Sequence, residues 1–276
     1  VYSNGYKVFK EDRFLKELYN IYNFLDAKMT GDNGLIFSSI SADTNYSDGT
    51  KSEGDFYVWK EDELKNILKK DFQWVSEYYN INQKGYWEKD NYVFYQTVSD
   101  AEFASKLGIS LAEFEKKLSK VNLSIRKERE KRVHPIIDNK IIFSWNALTI
   151  RGLVDSYKIT KDQKFLTKAL VINNSLVKNM ISKNIIQHTN SSFSSVLFLE
   201  DYSYYIDALI GLYEVTFDQK FLNFADQLTV FTNEKFKESN GFYRFSTNQQ
   251  TLFADSLIDL VDGVTPSANS VMNFNL

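Results

Sequence analysis

Two stretches, Ile150–Ala169 (IRGLVDSYKITKDQKFLTKA) and Ile206–Ala225 (IDALIGLYEVTFDQKFLNFA), repeat one another at a spacing of 56 residues. Ile150 meets Ile206, Leu153 meets Leu209, Tyr157 meets Tyr213, and the run Asp162–Leu166 meets Asp218–Leu222. In each copy the apolar residues Ile150, Leu153, Val154 and Tyr157, and their counterparts, fall at i, i+3, i+4 and i+7, the spacing of one helix face. A short polar turn follows, then a second apolar series through Phe165, Leu166, Ala169 and Leu170. Each copy therefore predicts an antiparallel helical hairpin.

A weaker third copy lies at the start of the chain. Tyr6 matches Tyr213, and Phe14-Leu15 match Phe221-Leu222. A fourth begins at Ser267, where Asn269 matches Asn146 and Leu276 matches Leu153. After each second helix an Asn (Asn33, Asn184 or Asn240) precedes a short strand-like run, and this register sets His188 opposite Arg244. Repeating hairpins build either an open solenoid or a closed toroid. Solenoid units run to roughly 34–47 residues, so a longer unit with a strand in its loop favours the toroid. The expected fold is mainly α, an incomplete α/α toroid of the six-hairpin glycosidase-like kind. The whole chain, 1–276, reads as one segment of it, with an insertion over about 38–143. Within the insertion, Phe56–Trp59 reads as a strand. Lys60–Lys70, Ala101–Leu107 and Ser110–Arg132 read as helices, the last opened by a Ser110/Glu113 capping box. An incomplete toroid leaves apolar helix faces uncovered, which favours self-association.

Composition narrows the chemistry. The 276 residues hold 33 basic and 36 acidic side chains for a net charge of −3, no Cys and two His. Thiol chemistry is excluded, no metal site or cofactor is expected, and there is no electrostatic grip for nucleic acid. No run approaches the ~20 apolar residues of a membrane span, and no signal-peptide pattern opens the chain. The expectation is a cytoplasmic protein. No phosphate-binding loop, dinucleotide turn or nucleophile elbow is present.

In a toroid the loops entering the inner helices converge on one funnel. The entry segments here are Asp138–Asn146, Leu199–Tyr202 and Asp262–Asn269. They bring carboxylates together with Trp, Tyr and Asn, the residue types that hold sugars: acids move protons and aromatic faces stack on rings. We assign acid–base roles to Asp138, Glu200 and Asp201, and charge stabilisation to Lys140. Trp145 and Tyr202 are assigned as stacking surfaces, and Asn146, Asp262 and Asn269 as further binding residues. Taken singly, an Asp, Ser or Asn just before a helix is an ordinary N-cap. His134 and His188 each read as structural.

Four stretches together resemble a known family: Ser52–Trp59 (SEGDFYVW), Arg132–Ile150 (RVHPIIDNKIIFSWNALTI), Phe198–Tyr202 (FLEDY) and Asp262–Val271 (DGVTPSANSV). It is the bacterial YyaL-type group, which includes a spermatogenesis-associated protein in animals. Its members join a thioredoxin-like domain to a six-hairpin toroid related to N-acylglucosamine 2-epimerases and toroid glycosidases. The resemblance implies that this chain corresponds to part of that toroid, without the thioredoxin-like domain or the outermost hairpins. Where the family carries further ionisable groups, this chain has Ser41, Ile136 and Asn139. The expected function is that of a carbohydrate-active protein binding a small sugar. Epimerisation or isomerisation is the leading chemistry and glycoside hydrolysis the second. The alternative is a non-catalytic sugar-binding or scaffold module whose site has degraded.

Overall fold

The protein, seen in a computed structural model, is described over residues 1–190, 195–247 and 258–276. The helices in chain order begin with α1 (Tyr2–Phe9), α2 (Asp12–Lys28), α3 (Glu61–Leu68), α4 (Phe72–Tyr78), α5 (Asp100–Lys106) and α6 (Leu111–Arg129). They continue with α7 (Phe143–Thr160), α8 (Gln163–Met180), α9 (Leu199–Thr216), α10 (Gln219–Phe236) and α11 (Ala268–Asn275). The chain divides into two compact units, Val1–Ser39 with Asp138–Leu276, and Ile40–Ile137.

In the first unit the repeat becomes a row of hairpins. α1 pairs with α2, α7 with α8 and α9 with α10. The first helices of the hairpins also pack on one another, α1 against α7, α7 against α9, and α9 against α11. Two concentric layers result, with α1, α7, α9 and α11 inside and α2, α8 and α10 outside, an arc of an α/α toroid. The hairpin turns follow from local chemistry. α7 ends on Lys161 and α9 on Phe217, both in the left-handed conformation, and the cap N–H of each returns to a carbonyl of the last turn. Asp162 and Asp218 then open α8 and α10 by accepting from the N–H of Lys164 and Lys220 at 3.1 Å.

An inner helix meets neighbours on both flanks, which explains why α9 is buried almost all round. Tyr202, Tyr204, Tyr205, Ile206, Leu209 and Leu212 are all interior. Pairs at the repeat spacing are also stitched by charge. Arg151 of α7 binds Asp207 of α9 at 2.9 Å, and Lys158 binds Glu214 at 2.5 Å. The outer edges are less covered: Val8, Phe9, Phe24 and Phe274 are exposed.

The second unit has its own cores. Trp59, Leu64, Leu68, Val75, Val121 and Ile125 form one, and Tyr78, Phe103, Phe114 and Leu118 form the other. Ser110 and Glu113 make the expected capping box at α6, and Ser99 with Glu102 makes another at α5. The strand expected at Phe56–Trp59 is mostly a turn, with strand geometry only from Trp59. Arg132 is the physical reason. Its guanidinium takes the carbonyls of Asp55, Phe56 and Val58, which are then withheld from a ladder, and it stacks 3.9 Å over Trp59. The ends of this unit meet where Ser41 N–H donates to the Ile136 carbonyl at 2.8 Å.

Candidate active site

The site is built by the loops that follow the outer helices. The loops after α8 and α10 are each tied at two points. A loop carbonyl receives the first N–H of its own inner helix: Phe143 N–H donates to the His188 carbonyl, and Leu199 N–H to the Phe245 carbonyl, both at 2.9 Å. The preceding residues are tied to the next inner helix by one side chain. Asn146 grips Ile36, accepting from its N–H at 2.8 Å and donating to its carbonyl at 3.0 Å. Asn269 grips Tyr243 in the same way, at 2.8 and 2.9 Å. In the middle repeat Tyr202 takes this role. Its hydroxyl accepts from Ile186 N–H at 3.2 Å and donates to the Asn184 carbonyl at 3.0 Å.

These ties correct the register read from sequence. Ile36 and Tyr243 bridge to Thr30 and Lys237, six residues back, whereas Ile186 pairs with Ile181, five back. The middle loop is one residue shorter because its turn runs through Lys183, at φ 56°, where the other two use Gly34 and Gly241. His188 therefore matches Phe245 rather than Arg244, and it lies against the start of α9.

There it meets the acidic pair. His188 Nδ1 lies 3.1 and 3.0 Å from the two carboxylate oxygens of Asp201, and 3.9 Å from Glu200. The ring packs on Phe198 with centroids 4.7 Å apart. Asp201 is fully buried and also accepts from Ser144 N–H, at 3.1 Å, in the first turn of α7. The Ser144 hydroxyl donates to Glu200 at 3.0 Å. One residue of α7 thus orients both carboxylates of α9, and Asp201 satisfies an otherwise orphaned helix N–H.

The electrostatics follow from burial. Loss of water pushes the Asp201 carboxyl up to about 6, against the lowering effect of His188. The hydrogen bond to Asp201 raises His188 above the ordinary imidazole value, opposed by partial burial. With Asp201 ionised, the proton sits on Nδ1 and Nε2 is left as the basic nitrogen. Among the described residues Nε2 has no hydrogen-bond partner, and the imidazole and Glu200 are both partly exposed. A carboxylate-held histidine of this kind can take and return a proton. His188, Glu200 and Asp201 are also the one group among the described residues whose ligand atoms, all within 4.8 Å of one another, could hold a metal ion. A cation there would displace the Nδ1 proton.

The other candidates go elsewhere. Asp138 accepts from the Lys140 N–H and pairs with its ammonium, both at 3.1 Å, which holds its carboxyl below the usual range. Among the described residues neither Asp138 nor Lys140 touches Glu200 or Asp201. Asp262 accepts from Ser267 N–H at 2.8 Å at the start of α11. Asn146 and Asn269 are buried loop clamps. Tyr202 is interior, its ring packed on Phe231 and Phe236, and offers no face for stacking. Trp145, next to Ser144, is 44% exposed. His188 is the residue beside the acidic pair that the sequence reading missed. The one-residue slip of its loop sets it where the last repeat has Phe245, and there it meets Asp201.

The architecture and site define an α/α-toroid protein with a histidine–carboxylate pair at the entry ends of its inner helices. No protein-family model matches the chain. An uncharacterized protein of Caenorhabditis elegans is 26% identical over 97% of this chain and 40% of its own length. Spermatogenesis-associated protein 20 of the rat is 24% identical over 100% of this chain and 39% of its own. The chain is a homologue of spermatogenesis-associated protein 20, in agreement with the resemblance read from its motifs, and spans about two fifths of the length of these relatives. Among solved structures, a sugar epimerase from a ruminal bacterium aligns over 99% of this chain and 84% of its own, at 12% identity and a TM-score of 0.41. The toroid rests on the hairpin packing, not on that likeness. Among the described residues no helix is long and apolar enough to cross a membrane.

Proposed function

We propose that this chain is a carbohydrate-active toroid whose site moves a proton on a small sugar, as an epimerase or isomerase does. The observation that carries this reading is the hydrogen bond from His188 to the buried Asp201. It fixes one ring nitrogen and leaves Nε2 as a base, with the partly exposed Glu200 3.9 Å from Nδ1 on the other side of the ring. Nε2 removes the proton next to a sugar carbonyl to give an enediol(ate), and the imidazolium so formed returns it to the adjacent carbon while the hydroxyl proton passes to the former carbonyl oxygen, which completes an isomerisation. Trp145, exposed beside Ser144, supplies the face on which a sugar ring stacks. Glycoside hydrolysis is less well supported. It requires two carboxylates flanking the bond, roughly 5–9.5 Å apart, and Asp201 is buried with its oxygens committed to His188 and Ser144.

One observation favours the second reading, a binding or scaffold module. Asp201 also ties down the first turn of α7, so the pair has a structural use even without turnover. Solvent exchange separates the two. A panel of aldoses, ketoses and their phosphates is incubated with the chain in D2O and followed by proton NMR. Deuterium entering at the carbon next to the carbonyl is the expected result, with His188→Gln slowing it by about 10²–10⁴-fold. Asp201→Asn slows it too, because the amide donates to Nδ1 and forces the proton onto Nε2. Sugars that bind without exchange sink the catalytic reading and leave the module.

A further inference from the structure

Away from that site, a cavity of about 420 Å3 lies between the outer helices α8 and α10. The repeat accounts for it. Phe14, Phe165 and Phe221 each occupy the third position of α2, α8 and α10, so the eleventh position is Tyr22 in α2 and Asn173 in α8. Between α2 and α8, Tyr22 packs edge-on against Phe165 with centroids 5.0 Å apart, and Tyr19 sits at 5.4 Å. One groove further on, Phe221 stands in the place of Phe165 and Asn173 in the place of Tyr22. A ring has been exchanged for a short amide, and a slot opens between Phe221, Phe224 and Tyr205.

An empty slot forfeits the contacts that its walls would otherwise make, yet this one also holds a polar group. Asn173 is only 4% exposed. Its carbonyl oxygen accepts from the Tyr205 hydroxyl at 2.9 Å, while among the described residues its NH2 group reaches only Asn174, at 3.4 Å. An amide has two donors to place, so the slot has hydrogen-bonding capacity to spare in apolar surroundings, where it is costly to leave unused. Lys178 lines the same cavity, exposed, and pairs with no carboxylate among the described residues. The volume falls in the range of small-molecule pockets, roughly 300–1,000 Å3.

We propose that this cavity binds a small aromatic carboxylate. The ring takes the place that Tyr22 fills in the neighbouring groove, a hydrogen-bond acceptor on the ligand meets the Asn173 amide, and the carboxylate meets Lys178. The site is independent of His188. The probe is 4-hydroxyphenylacetate, titrated into the nitrogen-15-labelled chain by NMR, with p-cresol as the uncharged comparison. A shift of the Asn173 side-chain NH2 signals is expected. Asn173→Tyr restores the missing ring, so it should abolish binding. Lys178→Ala should weaken 4-hydroxyphenylacetate by about threefold and leave p-cresol unchanged. An unmoved Asn173 side-chain signal at millimolar probe overturns the proposal without recourse to any variant. So does full-strength binding to a folded Asn173→Tyr chain, and p-cresol binding as well as the acid removes the role of Lys178.

Discussion

His188 and Asp201 both hold their protons more tightly in the folded chain than in the unfolded one, which gives the pair a defined pH signature. Burial lifts Asp201 from 3.8 to about 6, and Asp201 in turn lifts His188 above 6.5. Where the native state binds more protons, stability falls as pH rises. The contribution of Asp201 is full below about 4 and is lost by the time pH passes about 6. That of His188 is full below 6.5 and is lost above it. Since the groups touch, they titrate as one pair. Urea denaturation of the wild-type chain should therefore show stability declining from pH 5 to pH 8, and a flat profile over that range would refute the assignment. The acidic half of this pair was visible in the sequence as Glu200-Asp201 at the start of a helix. The basic half was not, because no pattern reports which way a loop side chain points when the turn before it has lost a residue. Asp138 and Lys140 show the opposite failure: residue types suited to catalysis that satisfy one another locally.

At the scale of single elements, the loop clamps and helix ends carry the testable energetics. Asn146→Ala strips the partner from both the N–H and the carbonyl of buried Ile36. Each orphaned group costs about 1–3 kcal/mol, so a loss near 3 kcal/mol is expected in urea denaturation, and Asn269→Ala should behave alike at Tyr243. A change below about 1 kcal/mol would mean that water replaces the amide. Phe217 offers the reverse experiment. It ends α9 at φ 56°, a region in which a side chain costs roughly 1–2 kcal/mol, and it is exposed. Phe217→Gly should raise stability by about 0.5–1 kcal/mol, and an unchanged midpoint would show that the ring recovers the strain through Tyr213. The helices themselves were legible, since a 3.6-residue apolar period needs only the sequence. The turn at Phe56–Val58 was not, because its carbonyls are claimed by Arg132, more than seventy residues downstream.

For the molecule as a whole, the repeat at 56 residues made the toroid readable, because identical hairpins can bury their faces only by stacking on one another. The region that breaks the repeat gave no such leverage, and its two cores emerge only in three dimensions. Ile40–Ile137 is compact, with Ser41 bonded to Ile136 at its ends. The hairpin unit likewise brings its own cut ends together, Ser38 N–H donating to the Lys140 carbonyl at 2.9 Å. Replacing residues 40–137 by a short Gly-rich linker should therefore leave the hairpin unit folded, with a cooperative thermal transition and an unshifted His188–Asp201 signal in NMR. Loss of that transition would show that the two units fold as one. In genetic terms the excursion is a cassette with a single port of entry and exit. Recombination at that port can lengthen, exchange or delete the passenger while every hairpin of the repeat keeps its phase.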